Sequence, residues 1–175
     1  MSFYTRRFNL YFLPAILCLA LGCHTQSKDK DKAIGILRVH IESETQAAGG
    51  KTVQVLRAEP VSINIVNQAI LSEADLVSAR LLEAPGGCAL QLQFNSAGAW
   101  TLEQFSSINP GKHLVIFGQW GEKKEDGRWL AAPLITRRIN NGIISFTPDM
   151  SRDDAYRFVL GLNNFSKKMH EGQSK

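Results

Sequence analysis

Histidines, cysteines and carboxylates are the side chains with which this chain could perform chemistry, and their spacing does not assemble a known site. The four histidines stand far apart, and none has the spacing of a metal site: His24, His40, His113 and His170. Gly111-Lys112 follows a proline and precedes a predicted strand, the reverse of the strand-to-helix order of a phosphate loop. We therefore expect no catalytic residue, no metal and no cofactor.

Two adjacent carboxylates, Asp153 and Asp154, come nearest to a general acid–base pair. Neighbouring helical positions point in different directions, so these two side chains do not share a face. Both follow Ser151 at the predicted start of a helix, where the helix dipole favours anions. Their position at the start of a helix accounts for the two aspartates. An enzyme remains an alternative only if residues far apart in the sequence form its active site.

Three pairs of basic residues fall at predicted turns and helix ends: Lys123-Lys124, Arg137-Arg138 and Lys167-Lys168. They could form a basic rim suited to anionic lipid headgroups or acidic peptide segments. The alternative is that they are ordinary solvated charges, which are common at such positions. Arg137 and Arg138 are therefore candidate residues for partner binding.

Trp120 and Trp129 flank a polar hairpin connection predicted at residues 122–127. If they lie side by side across the hairpin, they form either a cross-strand aromatic pair that stabilises the sheet or an exposed apolar anchor for a partner. If the second interpretation holds, Trp120 and Trp129 are candidate residues for partner binding.

The first 22 residues have the features of an export signal. Arg6 and Arg7 precede an apolar segment, residues 8–21, that is short for a membrane span. Ala20-Leu21-Gly22-Cys23 resembles the lipobox of bacterial lipoproteins, in which the cysteine is lipidated and becomes the mature N-terminus. Cys23 is therefore the predicted lipid attachment site. Ala20-x-Gly22 also fits ordinary signal cleavage, which would give a secreted protein.

Length and composition predict one globular domain between two polar segments. Apolar residues make up 44% of the chain and charged residues 21%, which excludes disorder and a polytopic membrane protein. Loss of Arg6 and Arg7 would leave 18 basic and 16 acidic residues, too even a balance to indicate nucleic-acid binding. We predict a leader over 1–22, a lipidated cysteine and tether over 23–33, the domain over 34–166, and a polar tail over 167–175.

Cys88 is expected to be a small core residue.

Alternating and helical patterns predict the elements of the domain. Alternation indicates strands over residues 37–41, 61–65 and 90–94, and the unbroken apolar run 113–117 indicates a central strand covered on both faces. Gly49-Gly50 supports a hairpin from the first strand into residues 52–57. Two helices are predicted, one with an apolar stripe at three-residue steps (Ala99, Leu102, Phe105, Ile108) and one with the stripe Ala155, Phe158, Val159 and Leu162.

The order of these signals resembles the head region of the first periplasmic domain of SecD, the export-assisting subunit of the bacterial Sec translocase. The resemblance covers residues 58–164 and is carried by Leu71-Ser72-x-x-Asp75-Leu76, Leu90-x-Leu92-x-Phe94, Gly98, Asn109-x-Gly111-Lys112-His113-Leu114, Ala132-Pro133-Leu134-Ile135, Ile139-x-x-Gly142, Ser151 and Ala155. It implies an α+β fold: a mainly antiparallel sheet with two principal helices on one face. SecD carries this domain on transmembrane helices that couple proton flow to movement, whereas no span is predicted here after the leader.

These observations lead to a non-catalytic lipoprotein of the cell envelope, held to a membrane by its N-terminal lipid with the domain in the periplasm. The resemblance implies a module that binds polypeptides or proteins and is related to protein export, with exported polypeptides or translocase components as partners. The alternative is a structural or adaptor lipoprotein that docks on an envelope complex unrelated to export. Residues 122–127 would then be its docking edge.

Overall fold

The structure of the protein is a computed structural model that describes residues 33–44, 50–56, 58–121 and 126–173. The predicted leader, Cys23, nearly all of the tether and the hairpin residues 122–125 lie outside the described residues. The strands are β1 (Ile36–Ile41), β2 (Gly50–Val55), β3 (Val61–Val66), β4 (Leu71–Ser72), β5 (Leu76–Ala84), β6 (Gly87–Phe94), β7 (Leu114–Gln119), β8 (Gly127–Ala131) and β9 (Ile143–Phe146); the helices are α1 (Ser96–Ile108) and α2 (Arg152–Gln173), with a 3₁₀ turn at Glu73–Asp75.

All strand pairs are antiparallel in the part of the chain that the structure describes. One sheet has the order β4-β1-β7-β8, a second has the order β5-β6-β9, and β2 and β3 form a two-stranded ribbon. Both helices contribute to one apolar core with these two sheets, while the β2–β3 ribbon has its own cluster with Val115 and Trp129. The predicted α+β class is therefore confirmed.

Strand β7 is central, as the apolar run predicts. It lies between β1 and β8, and its side chains alternate between the two clusters. Leu114 and Ile116 join the main core, whereas Val115, with no exposed surface, joins the cluster of the ribbon. A strand covered on both faces needs no polar alternation, which explains the continuous run.

The predicted hairpin from the first strand into residues 52–57 is wrong. β1 pairs with β4 and β7, and β2 pairs with β3. Leu37 and Val39 have no exposed surface, and the main core is the place that buries them. The ribbon instead contacts the end of β1 through the bridge between Glu42 and Ile65 and through the bond from His40 Nδ1 to the C=O of Val66.

Helix α1 is confirmed, but its predicted apolar stripe is wrong at its end. Asn95 caps it by accepting the backbone N–H of Gly98 at 2.8 Å. Leu102 is fully buried, whereas Ile108 is 73% exposed. Steps of three residues fall short of the 3.6-residue turn, so Ile108 has rotated to the side opposite Ala99.

Helix α2 is confirmed with its predicted cap and stripe. The Ser151 hydroxyl accepts the backbone N–H of Asp154 at 3.1 Å, and Ala155, Phe158 and Leu162 have no exposed surface. The helix continues to Gln173, through most of the segment predicted as a polar tail. No helix among the described residues is long and apolar enough to cross a membrane.

Candidate functional site

The two tryptophans lie on opposite faces of the four-stranded sheet. Trp129 of β8 stands directly across from Phe117 of β7, and Trp120 lies three residues beyond Phe117. Trp120 joins the main core, whereas Trp129 joins the cluster of the ribbon, so the two rings lie on different sides of the sheet. The predicted cross-strand tryptophan pair is therefore wrong.

Trp120 belongs to the main core and has 7% of its surface exposed. Its ring lies 4.8 Å from the guanidinium carbon of Arg128, which covers it as a cation–π partner. This burial leaves Trp120 little surface to offer to a partner.

Trp129 is half-buried and packs under the β2–β3 ribbon. Its ring meets the rings of Phe117 and His40 edge-on, each at a centroid distance of 5.4 Å. An open depression of about 550 Å³ lies beside it, lined also by Leu56 and Pro60. The ring of Trp129 is therefore largely engaged in contacts within the fold.

Arg137 and Arg138 line a groove, here called the Arg137 groove, between β9 and the segment after β8. Its volume is about 440 Å³. The lining residues are Gln91, Leu114, Pro133, Leu134, Thr136, Arg137, Arg138, Ile139, Asn140, Asn141, Ile143, Ile144 and Ser145. Apolar groups form part of the wall, and amide, hydroxyl and guanidinium groups form the rest. Neither tryptophan is among these residues.

The charge in the groove is positive. No acidic side chain is among its described lining residues. Arg138 is ion-paired with Glu103 of α1, which offsets its charge. Arg137 is exposed and has no acidic partner among the residues that the structure describes. Arg137 is therefore the guanidinium available to a ligand in the groove.

The loop that enters β9 is held by specific contacts. The backbone N–H of Ile139 donates to the Ser106 hydroxyl at 2.8 Å, which ties the loop to α1. Gly142 has a φ of 65°, a conformation that favours glycine, and an added Cβ would meet the Ala99 side chain at 2.7 Å. The turn thus fixes where β9 begins, and with it one wall of the groove.

A second groove, of about 500 Å³, is more apolar and lies at the end of α1. It is lined by Ile41, Glu42, Ser43, Val66, Gln68, Ala69, Ile70, Phe105, Ile108, Asn109 and Lys112. Beside it, His113 donates its backbone N–H and its Nδ1–H to Glu42 Oε2, at 2.9 Å and 2.6 Å. Glu42 N–H in turn donates to His113 C=O at 3.0 Å. These reciprocal bonds join β1 to β7, which is a structural role.

Within residues 33–44, 50–56, 58–121 and 126–173, no cluster of three or more potential metal ligands occurs. Cys88 is a free, buried cysteine, as predicted. Lys167 and Lys168 are exposed on α2, where Lys167 lies 3.8 Å from Glu171, and Lys123-Lys124 lie outside the described residues.

Sequence reasoning found the arginines of the groove but missed Ser145 and Leu134. A serine in a short strand has no distinctive chemistry, and its importance depends on β9 being at the edge of its sheet. The available signal was the Asn140-Asn141-Gly142 turn before a strand of only four residues. Short strands are typical of sheet edges.

The fold is similar to that of SecDF. No family model matches the sequence, and no curated protein matches it. A structure of SecDF, a membrane component that enhances protein export, has a TM-score of 0.55 at 22% identity and covers 82% of this chain and 71% of its own. SecDF in a super-membrane-facing form has a TM-score of 0.56 at 20% identity, over 81% of this chain and 21% of its own. These likenesses confirm the predicted resemblance to a periplasmic domain of SecD.

Proposed function

We propose that this protein is a non-catalytic, membrane-tethered envelope lipoprotein that binds extended polypeptides in the Arg137 groove. The observation that supports it most is the groove itself: an open, acid-free channel beside an edge strand, with Arg137 unpaired among the described residues. The fold likeness to SecDF supports a role related to protein export, with translocase components or exported chains as partners.

The membrane tether is proposed from the sequence alone. Ala20-Leu21-Gly22-Cys23 would direct lipidation of Cys23. The short polar segment after Cys23 would keep the domain in the periplasm, near the membrane surface. Replacing Cys23 by serine should move the protein from the membrane fraction to the soluble one. Mass spectrometry of the wild-type N-terminus should show the added acyl groups. An unmodified Cys23 would contradict the tether and leave the binding proposal standing.

Binding can be tested with full-length protein in detergent and a reduced, carboxymethylated model protein that cannot refold. We expect capture of the unfolded chain and none of the same protein in its folded form. Arg137→Glu should weaken capture of acidic unfolded chains by at least about tenfold, the equivalent of about 1.4 kcal/mol. Arg157→Glu is the matched control, since Arg157 is exposed on α2 and its replacement changes net charge equally. Absence of capture by the wild-type protein would contradict the proposed function.

Stable recovery of one folded envelope complex, with no capture of unfolded chains, would instead establish the adaptor function. Cross-linking from a photoreactive residue at Thr136, which is exposed in the groove, would show whether that complex uses the same surface.

A further inference from the structure

The backbone register shows which groups of β9 face the groove. The N–H of Phe94 donates to the C=O of Gly142 at 2.9 Å, so this pair is hydrogen-bonded. In an antiparallel ladder such pairs alternate with pairs whose N–H and C=O groups point away from each other. Gln91 and Ser145 form a pair of the second kind. The N–H and C=O of Ser145 therefore point away from β6, along the outer edge of the sheet.

This outer edge has no strand beside it among the described residues. The N–H of Ile143, which also points outward, is satisfied by the Asn141 side chain at 3.1 Å. Ser145 is exposed, and the structure gives its outward N–H and C=O no partner within the described part of the chain. An unpaired edge of this kind is a template for pairing with another chain.

The opposite wall presents the same kind of edge. Leu114 N–H donates to Pro133 C=O at 2.9 Å, and Ile135 N–H donates to Lys112 C=O at 2.8 Å. These two bonds flank the bridge between His113 and Leu134, so the backbone groups of Leu134 point away from β7. Leu134 is 50% exposed and lines the groove. Outward-facing backbone groups therefore occur on both walls.

We infer that the Arg137 groove takes its polypeptide as an added β-strand on the edge of β9, with an acidic side chain of that strand beside Arg137. The inference rests on the proposed function and specifies its binding mode and ligand chemistry. Backbone pairing with Ser145 does not depend on the ligand's sequence, whereas Arg137 and the acid-free lining select for negative charge. Ile143 and Leu134 give the apolar side chains of the strand a surface to contact.

The probe is a short synthetic peptide in which valine alternates with glutamate, with its lysine counterpart as the charge control. Binding to the full-length protein in detergent is measured by fluorescence anisotropy. We expect the glutamate peptide to bind and its affinity to fall at least about tenfold when alternate amides are N-methylated, because methylation removes the donors of a strand. Equal binding of the methylated peptide would overturn strand addition.

Ser145→Pro and Ser145→Ala form a matched pair on the protein side. Proline removes the outward N–H and is tolerated on edge strands, whereas alanine keeps the N–H and removes only the hydroxyl. We expect Ser145→Pro to weaken binding at least about tenfold and Ser145→Ala to change it less than about twofold. Should Ser145→Pro fail to fold, as judged by circular dichroism, the methylated peptide on wild-type protein decides the question.

The failure of this inference differs from failure of the proposed function. If wild-type and Ser145→Pro proteins capture the carboxymethylated unfolded chain equally, strand addition is wrong and polypeptide binding stands. If the lysine peptide binds as tightly as the glutamate peptide, the assigned acidic preference is wrong. If the wild-type protein captures no unfolded chain, both are wrong.

Discussion

Gly161 of α2 lies directly against Gly35, at the residue before β1. A Cβ added to Gly161 would stand 2.5 Å from the backbone nitrogen of Gly35, and one added to Gly35 would stand 2.5 Å from the backbone nitrogen of Leu162. Real Cβ atoms do not approach other heavy atoms this closely, so the helix and the chain entering β1 are in backbone contact. This contact sets how closely α2 can approach the start of β1.

Gly161→Ala should destabilise the protein although alanine is the better helix former. The helix propensity gain is about 1 kcal/mol, while overpacking against backbone costs about 1–3 kcal/mol or more, since backbone cannot move aside as a flexible side chain can. Urea denaturation should show a net loss. Gly87→Ala is the control, because a Cβ there has no atom within 4 Å. A Gly161→Ala protein as stable as wild type would contradict the close contact.

The contact between Gly35 and Gly161 illustrates what the sequence could not predict. Alternation and helical stripes indicated β1, β6 and α2 because those signals are local to each element. Which strands pair, and which backbones touch, depends on residues far apart in the chain. The wrong β1–β2 hairpin and the wrong tryptophan pair both came from treating neighbours in sequence as neighbours in space. The Arg137 groove likewise could not be predicted from the sequence, because it depends on β9 lying at the edge of its sheet.

His40 should make the stability of the domain fall in mild acid. Its Nδ1 donates to the C=O of Val66 at 2.9 Å, joining β1 to the end of β3, and its side chain is almost fully buried. Burial lowers the pKa of His40 below its ordinary value of 6.5, and the charges of Arg38 and Lys51 act in the same direction, against the opposing effect of the bond to Val66.

Because the pKa of His40 is lower in the folded state, the unfolded chain takes up more protons as the pH falls through about 6.5. The contribution of His40 is therefore complete above that pH and is lost progressively down to the folded-state pKa. Urea denaturation at about pH 8 and about pH 5 should show that wild type loses more free energy of unfolding than His40→Gln does. An equal loss in both proteins would show that other groups cause the acid sensitivity.

Trp129→Ala should loosen the β2–β3 ribbon, since the Trp129 ring packs with Phe117, His40 and the cluster of the ribbon. A loss on the order of 3 kcal/mol is expected for truncating a large aromatic side chain. Hydrogen exchange should speed up in β2 and β3 more than in β6. Peptide binding in the Arg137 groove should persist, because Trp129 does not line it. Lost binding at unchanged stability would instead make Trp129 a partner-binding residue.

Phe158 is a large, fully buried side chain of α2. It has no exposed surface, and its ring contacts the position of Gly118 so closely that an added Cβ would lie 2.8 Å from it. Phe158→Ala should lower the free energy of unfolding by about 3–5 kcal/mol, and Phe158→Asp should unfold the domain because it buries an unpaired charge.

Tyr156→Ala is the control for this helix, since Tyr156 is 50% exposed and lies away from the buried face of α2. Thermal melts followed by circular dichroism should show a large decrease in melting temperature for Phe158→Ala and no cooperative transition for Phe158→Asp. Tyr156→Ala should change the free energy of unfolding by no more than about 0.5 kcal/mol. Equal effects at the two positions would mean that α2 is held by something other than its apolar stripe.

Gly118→Ala should act partly on the contact that Phe158 makes, since an added Cβ would lie 2.5 Å from the Leu130 side chain and 2.8 Å from the Phe158 ring. Combining it with Phe158→Ala should cost less than the sum of the single changes, because neighbouring sites that share a contact are not additive.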